Sequence, residues 1–260
     1  SIHAISSPDD WSRMSDDMII SDFSKSDKML VLSCNGSVQI SLGQNGMALV
    51  TPRMLISDKL PSYSQFKAYV NHTGSNMVSC DDIGKVIMAT VVDTTSGQSC
   101  WSTLIVEDKL MPSVNCMSDT LPCTEDPFSY DYNEFITITD NCDPNPTAYF
   151  DLRFEKLNCG ARYVAIAHLT WTVTDRYNNR VNCSNDIYFK KAPLDSIVFP
   201  QDDTLYCPSP DFSSLEGPTI FGESIDPFCD LFASFTEDSS IVCGGMYKKT
   251  RRWTVRDWCT

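Results

Sequence analysis

The stretch Trp-Thr-Val-Thr-Asp at residues 171–175 recurs as Trp-Thr-Val-Arg-Asp at residues 253–257, 82 positions further along the chain. Asp93 lies 82 positions before Asp175 and marks a fainter third copy of the motif. Each full copy alternates apolar and polar residues, which is typical of a β-strand. The chain is therefore predicted to be a tandem array of all-β units.

The cysteines follow a similar spacing. Cys34 and Cys116 are 82 positions apart, and Cys100 and Cys183 are 83 apart. These offsets place unit boundaries near residues 28, 110 and 193. The predicted domains are an N-terminal segment (1–28), two repeats (29–110 and 111–193) and a third repeat (194–260) without its last strand.

Short alternating runs, bounded by turn residues, indicate antiparallel β structure within each unit. Val38–Leu42 and Met47–Val50 flank Asn45-Gly46, a pair that favours a tight hairpin turn. Further strands are predicted at Ser102–Val106, Phe135–Thr139 and Tyr163–Val173. About seven short strands per unit, with a tryptophan or an aliphatic residue in the penultimate strand, predict tandem immunoglobulin-like β-sandwiches of about 82 residues, with each tryptophan between the sheets.

Composition points to the outside of a cell. Twelve scattered cysteines in 260 residues indicate disulfide-stapled domains made in an oxidising compartment. The net charge of -14 argues against binding to nucleic acid or to anionic membranes. No apolar run has the length of a membrane span, and the first residues lack signal-peptide features, so the sequence is expected to be a mature or excised segment.

A resemblance to a known family rests on two motifs. Residues 100–109 read Cys-Trp-Ser-Thr-Leu-Ile-Val-Glu-Asp-Lys and are followed by Pro112, and the Trp-Thr-Val-x-Asp motif recurs as described. Both resemble the signature of hyalin-repeat domains, in particular those of very large secreted bacterial surface proteins. The chain departs from that family at residues 176–179, Arg-Tyr-Asn-Asn, where a Gly-Asn turn is usual. The resemblance implies a role in adhesion or extracellular structure, with no catalytic residues.

Glycosylation is also predicted. Bacteria with such proteins modify Asp-Ser/Thr-apolar tripeptides, which implies candidate acceptors at Thr94, Thr120, Ser196 and Thr204. Ordinary polar residues at strand starts account for the same pattern. A eukaryotic source would instead favour N-glycosylation at Asn35, Asn71 and Asn182.

Equivalent positions predict equivalent disulfides. The expected pairs are Cys123 with Cys142, Cys207 with Cys229, Cys159 with Cys183 and Cys243 with Cys259. In the first unit Cys80 would pair with Cys100, which leaves Cys34 and Cys116 alone. The alternative pairs Cys34 with Cys80 and Cys100 with Cys116. The sequence does not choose between these two arrangements.

No catalytic constellation is apparent. The three histidines, His3, His72 and His168, lie in separate segments, and no nucleophile elbow, zinc-binding helix or phosphate loop occurs. The chain is therefore predicted not to be an enzyme and to need no organic cofactor.

Two acidic segments are candidates for calcium binding: a loop with Asp140, Asp143 and Asn145, and the acids Glu107 and Asp108 at a unit joint. Turn formation explains the same residues without a metal.

The favoured function is structural. We expect a segment of a cell-surface fibre or filament that self-assembles, with residues 1–28 of one subunit completing the open sheet of the next by strand addition. A window cut from a longer array also explains the open ends, and the recurrence of the unit joints favours that explanation. The alternative function is an adhesin stalk or binding module that recognises a glycan or protein ligand. Neither function requires nucleic acid or membrane insertion.

Overall fold

The computed structural model describes residues 31–202, 216–241 and 247–259. Within these residues the chain divides into two compact units. The first comprises residues up to 38 together with 50–76 and 87–103, and the second comprises 39–49, 77–86 and the chain from 104 onward. The predicted domain boundaries and the predicted repeat length stay predictions.

The structure is built of short β-strands. In chain order they are β1 (Ser37–Ser41), β2 (Met47–Leu49), β3 (Phe66–Val70), β4 (Met77–Ser79), β5 (Ile87–Asp93), β6 (Ser99–Glu107), β7 (Ser113–Cys116), β8 (Asp119–Pro122), β9 (Ile136–Thr139), β10 (Thr147–Lys156), β11 (Tyr163–Thr174), β12 (Arg180–Lys190), β13 (Ile197–Val198), β14 (Thr219–Ile220), β15 (Glu223–Ser224), β16 (Leu231–Ile241) and β17 (Tyr247–Asp257). One single-turn α-helix, α1 (Pro52–Leu55), and short 3-10 turns at Cys80–Asp82, Tyr132–Phe135, Leu194–Ser196 and Pro227–Cys229 connect them. The predicted all-β class is confirmed.

The sheets are small and mostly antiparallel. Two have four strands, in the orders β1-β6-β5-β3 and β10-β11-β12-β8, and β8 runs parallel to β12. The strands β13-β14-β15 form a three-stranded sheet, and β2-β4, β7-β9 and β16-β17 are two-stranded. The predicted strands within β6, β9 and β11 are confirmed.

Apolar and polar residues alternate along the strands of the first unit, so that one face of its sheet is buried. Phe66, Ala68 and Val70 on β3 are buried, and Ile87 and Ala89 on β5 are buried in the same alternating way. These are the inward positions that a period of two dictates, and the intervening side chains are more exposed. Hydrophobic burial on this face therefore selects the strand register.

The core of the second unit is built around β11. Trp171 is fully buried between apolar neighbours, and its Nε1 donates to Asn185 Oδ1 at 2.9 Å. Tyr132 is also buried, and its hydroxyl donates to the carbonyl of Pro127 at 2.7 Å. Burial, and then the nearby charge of Asp126, raises the pKa of Tyr132 to about 12. The predicted core position of Trp171 is confirmed, whereas its repeat counterpart Trp253 is only half-buried.

The aspartate that ends each copy of the repeated motif closes a turn. Asp93 Oδ1 accepts the backbone N–H of Thr95 at 2.8 Å, and Asp175 Oδ1 accepts that of Tyr177 at 2.8 Å. Asp257 Oδ1 accepts the backbone N–H two residues further on at 2.7 Å. Hydrogen bonds to the ionised form, the largest from Thr95, lower the pKa of the Asp93 carboxyl. The motif is thus one strand followed by one aspartate-capped turn.

The expected hairpin at Asn45-Gly46 is wrong in its pairing. Gly46 does adopt a positive φ of 70° and closes the turn through its N–H to the Gly43 carbonyl at 2.9 Å. However, β1 pairs with β6, whereas β2 pairs with β4. The turn itself was predicted correctly. The strands on either side of it, β1 and β2, pair with strands distant in sequence, so the chain leaves one sheet at the turn and enters another.

A substitution at Gly46 is expected to lower stability strongly. A Cβ atom there would lie 2.7 Å from Cys80 Sγ and 2.8 Å from the Asn141 carbonyl oxygen. Gly46→Ala should therefore cost about 2–4 kcal/mol, from left-handed strain together with overpacking. Gly97→Ala is the control, because Gly97 has a φ of 74° but no atom within 4 Å of its added Cβ. Urea unfolding of both variants measures the difference, and equal losses would contradict the predicted clash.

Five disulfides link the described residues. The pairs are Cys34–Cys100, Cys80–Cys142, Cys116–Cys183, Cys123–Cys229 and Cys159–Cys259. Cys207 and Cys243 lie outside the described residues.

All of the predicted pairings are therefore wrong, including the alternative arrangement of the first unit. Those predictions joined cysteines close in sequence, whereas sheet packing joins cysteines 62 to 106 residues apart. In one case, cysteines at equivalent repeat positions do form equivalent bridges. The bridges Cys34–Cys100 and Cys116–Cys183 have ends that correspond to one another in the repeat, at the offsets that the cysteine spacing predicted.

Candidate metal centre

Three aspartates meet where three strands end. Asp108 directly follows β6, Asp140 follows β9 and Asp175 follows β11. One carboxylate oxygen from each lies within 4.8 Å of the others. All three belong to the second unit. We refer to Asp108, Asp140 and Asp175 as the aspartate cluster.

Backbone turns hold the cluster in place. Asp108 Oδ1 accepts the N–H of Leu110 at 3.1 Å, and Asp140 Oδ1 accepts that of Cys142 at 2.9 Å. Asp175 accepts from the turn that follows it. Each carboxylate is thus oriented by residues two positions ahead, as in an Asx turn.

Side-chain amides donate to two members of the cluster. The Asn141 amide donates to Asp108 Oδ1 at 3.0 Å, and the Asn179 amide donates to Asp175 Oδ2 at 2.7 Å. Both amides are neutral donors, so they orient the carboxylates without neutralising their charge.

Two oxygens of the cluster are left without a donor. Asp108 Oδ2 and Asp140 Oδ2 are buried, and neither has a hydrogen-bond partner among the described residues. Asp108 and Asp175 are only 6% and 4% exposed. A carboxylate oxygen that is removed from water and left unpaired is costly, so this arrangement favours a cation.

Nearby cations are engaged elsewhere. The Arg176 guanidinium lies 2.9 Å from Asp143 Oδ1, and Lys109 Nζ lies 2.7 Å from Glu107 Oε2. No ion pair found in the described part of the chain includes a member of the aspartate cluster. Among the residues that the structure describes, no lysine or arginine therefore forms an ion pair that balances the negative charge of the cluster.

The predicted calcium residues separate in the structure. Asp140 belongs to the cluster, whereas Asp143 is paired with Arg176, and Asn145 lies on the exposed part of the loop. Burial alone raises the pKa of Asp143, but hydrogen bonds from the Asn145 N–H and from Arg176 outweigh it and hold the pKa below its usual range. Asp143 is thus a structural ion-pair residue in a turn.

Sequence reasoning missed Asp175. It was recognised as the last residue of the repeated motif, and the available signal was that Asp108, Asp140 and Asp175 each lie within two residues of the end of a predicted strand. The fold brings together the ends of three strands from different sheets, so their acids become neighbours although they are far apart in sequence.

The remaining candidate residues are scattered. Thr94 and Thr120 are exposed, Ser196 is half-buried, and Thr204 lies outside the described residues. Glycosylation at these positions stays a prediction. His168 on β11 lies between two acids, with Nδ1 2.7 Å from Asp186 and Nε2 3.3 Å from Glu155.

Within the described ranges, no helix has the length and apolar character that crossing a membrane requires.

Comparisons with known proteins give only distant likenesses. No protein-family model and no curated protein matches the sequence. Human mucin-like protocadherin EC1-2 is similar over 62% of this chain and 97% of its own, with 8% identity and a TM-score of 0.29. Drosophila N-cadherin EC1-3 is similar over 80% of this chain and 79% of its own, with 10% identity and a TM-score of 0.28. Likeness this weak carries no conclusion about ligand, partner or activity, and hyalin-repeat membership and a bacterial source stay predictions.

Proposed function

We propose that this chain is a load-bearing structural module of an extracellular fibre or filament. The observation that carries the proposal is that its disulfide loops overlap in series. The loop from Cys34 to Cys100 overlaps the one from Cys80 to Cys142, and the later loops overlap in turn as far as Cys259. Because the loops overlap, a continuous path of covalent bonds runs from Cys34 to Cys259 through the disulfides. We call this path the covalent route, and the number of residues along it does not increase when the fold is lost.

The shortest covalent route is much shorter than the backbone. It crosses from Cys34 to Cys100, runs back along the chain to Cys80 and crosses to Cys142. It then runs forward to Cys159 and crosses to Cys259. The two stretches that it follows hold about 37 residues of extensible backbone, whereas the reduced chain between the same ends holds about 225 residues.

These lengths set the limit of extension under force. At about 3.6 Å per extended residue, the reduced segment reaches about 810 Å. The disulfide route reaches about 150 Å, since each of its three bridges adds a Cα–Cα distance of 4.9 to 5.6 Å. A module with this property resists extension even after its sheets have come apart, which suits a protein under tension outside the cell.

The same disulfides stabilise the fold. Loops of 62 to 106 residues restrict the unfolded chain by about 4–5 kcal/mol each in the chain-entropy model, although overlapping loops do not contribute additively. They also support an extracellular location, because such bonds persist in oxidising compartments. We propose no catalytic role for the chain.

Assembly into the fibre is the less direct part of the proposal. The predicted strand donor, residues 1–28, lies outside the described residues, so assembly by strand addition stays a prediction. The adhesin alternative, with a glycan or protein ligand, also stays a prediction.

Force spectroscopy tests the load-bearing role. With handles immediately before Cys34 and after Cys259, the oxidised chain is expected to stop extending at about 150 Å, and the reduced chain is expected to reach about 810 Å. Equal maximal extension in the two states would contradict the covalent route. Negative-stain images of the native material address the fibre itself: filaments support it, whereas discrete rods that bind a ligand favour the adhesin.

A further inference from the structure

We infer that the aspartate cluster is a calcium-binding site. The inference does not depend on the load-bearing role, because it rests on Asp108, Asp140 and Asp175 alone. Three carboxylate oxygens from three strand ends lie within 4.8 Å of one another. Ca²⁺ binds oxygens at about 2.3–2.6 Å, so ligands on opposite sides of one ion are about 5 Å apart. The spacing therefore allows all three to bind a single ion.

The second observation is the pair of unpartnered oxygens. Asp108 is more than nine-tenths buried, with an exposure of 6%, and its Oδ2 accepts no hydrogen bond in the described structure. Asp140 as a residue is half-buried, but its Oδ2 atom is also buried and accepts no hydrogen bond from the described residues. The opposite oxygen of each carboxylate already accepts two hydrogen bonds. Asp108 Oδ1 accepts from the Leu110 N–H and the Asn141 amide, and Asp140 Oδ1 accepts from the N–H groups of Cys142 and Asp143. What remains is one acceptor on each of two residues that has no hydrogen-bond partner among the described residues, within a cluster that forms no ion pair with a described lysine or arginine.

The donor set selects the class of ion. Carboxylate oxygens are hard ligands, and the three members of the cluster offer neither imidazole nor thiolate, so calcium or magnesium is favoured over zinc or copper. Magnesium demands a small, nearly ideal octahedron at about 2.0–2.1 Å, whereas calcium accepts irregular oxygen sets. The three carboxylates of the cluster are positioned by separate turns and form an irregular oxygen set, which favours calcium over magnesium.

A bound ion would tie three strand ends together. Asp108 directly follows β6 at the predicted joint between the first two repeats, and Asp140 and Asp175 directly follow β9 and β11 in the predicted second repeat. Without the ion the three charges repel one another. We therefore expect calcium to raise thermal stability by mass action.

The experiment compares melting temperatures of the full chain in chelator and in millimolar CaCl₂ or MgCl₂. Saturating Ca²⁺ is expected to raise the melting temperature by about 5 °C or more, and Mg²⁺ by clearly less. No shift with Ca²⁺ would overturn the site, and an equal shift with Mg²⁺ would overturn its assignment to calcium.

A variant separates binding from simple structural damage. Asp140→Asn keeps Oδ1 as the acceptor for the turn but removes the charge. In chelator it is expected to melt at or above the wild-type temperature, because repulsion is relieved, and in Ca²⁺ it is expected to melt below it. At least a tenfold loss of Ca²⁺ affinity by calorimetry should accompany this reversal.

The matched control is Asp151→Asn, which removes one charge from an exposed position on β10. It should keep the full calcium response. If Asp140→Asn is less stable than the wild type in both conditions by the same amount, or if the control loses the response as well, the inference is overturned.

Discussion

The double variant Cys34→Ser/Cys100→Ser is expected to lengthen the fully extended oxidised chain, measured from residue 34 to residue 259, by about 90 Å. Without that bridge the shortest route follows the backbone from position 34 to Cys80, crosses to Cys142, runs on to Cys159 and crosses to Cys259. The extensible backbone on the route then rises from about 37 residues to about 63 residues. At about 3.6 Å per residue, this difference accounts for the expected lengthening.

The control is the equivalent double variant Cys116→Ser/Cys183→Ser. Its loop spans 67 residues against 66 for Cys34–Cys100, so both variants should lose a similar stabilisation of about 4 kcal/mol. However, the shortest route does not pass through Cys116–Cys183, and the maximal extension should not change. Force spectroscopy with the same handles measures both variants. Equal lengthening would show that the proposed route is wrong.

Truncation of Trp171 is expected to remove a large part of the stability of the second unit. The side chain is fully buried, and its ring lies 4.8 Å from that of Phe150. The buried Asn185 side chain accepts a hydrogen bond from Trp171 Nε1 at its Oδ1, and its Nδ2 donates to the Met117 carbonyl. Trp171→Ala should cost about 3–5 kcal/mol for the lost packing, and about 1–3 kcal/mol more because Asn185 Oδ1 loses its donor.

Two further variants separate these contributions. Trp171→Phe keeps an aromatic ring but not the donor, so the loss should be smaller and should reflect the unpaired Asn185 together with incomplete filling. Trp101→Ala is the control, because Trp101 is 65% exposed and should change stability by less than about 0.5 kcal/mol. Urea unfolding under oxidising conditions measures all three. Similar losses for Trp171→Ala and Trp101→Ala would contradict the assigned core.

The sequence by itself determined the local features. Alternation in β11 identified both the strand and the buried Trp171, and Asn45-Gly46 identified a turn with positive φ at the glycine. The aspartate was identified as the last residue of the repeated motif. These features depend on a few neighbouring residues, through side-chain periodicity and the conformational preferences of turn residues.

Only the tertiary structure decided which distant residues meet. β1 and β2 take different partners, Cys80 bonds Cys142, and the strand ends at Asp108, Asp140 and Asp175 converge. The physical reason is that neither sheet pairing nor disulfide formation depends on closeness in sequence, because the closure entropy of a long loop grows only slowly with its length. The packing of whole sheets therefore selects among many partners that the local pattern leaves equivalent.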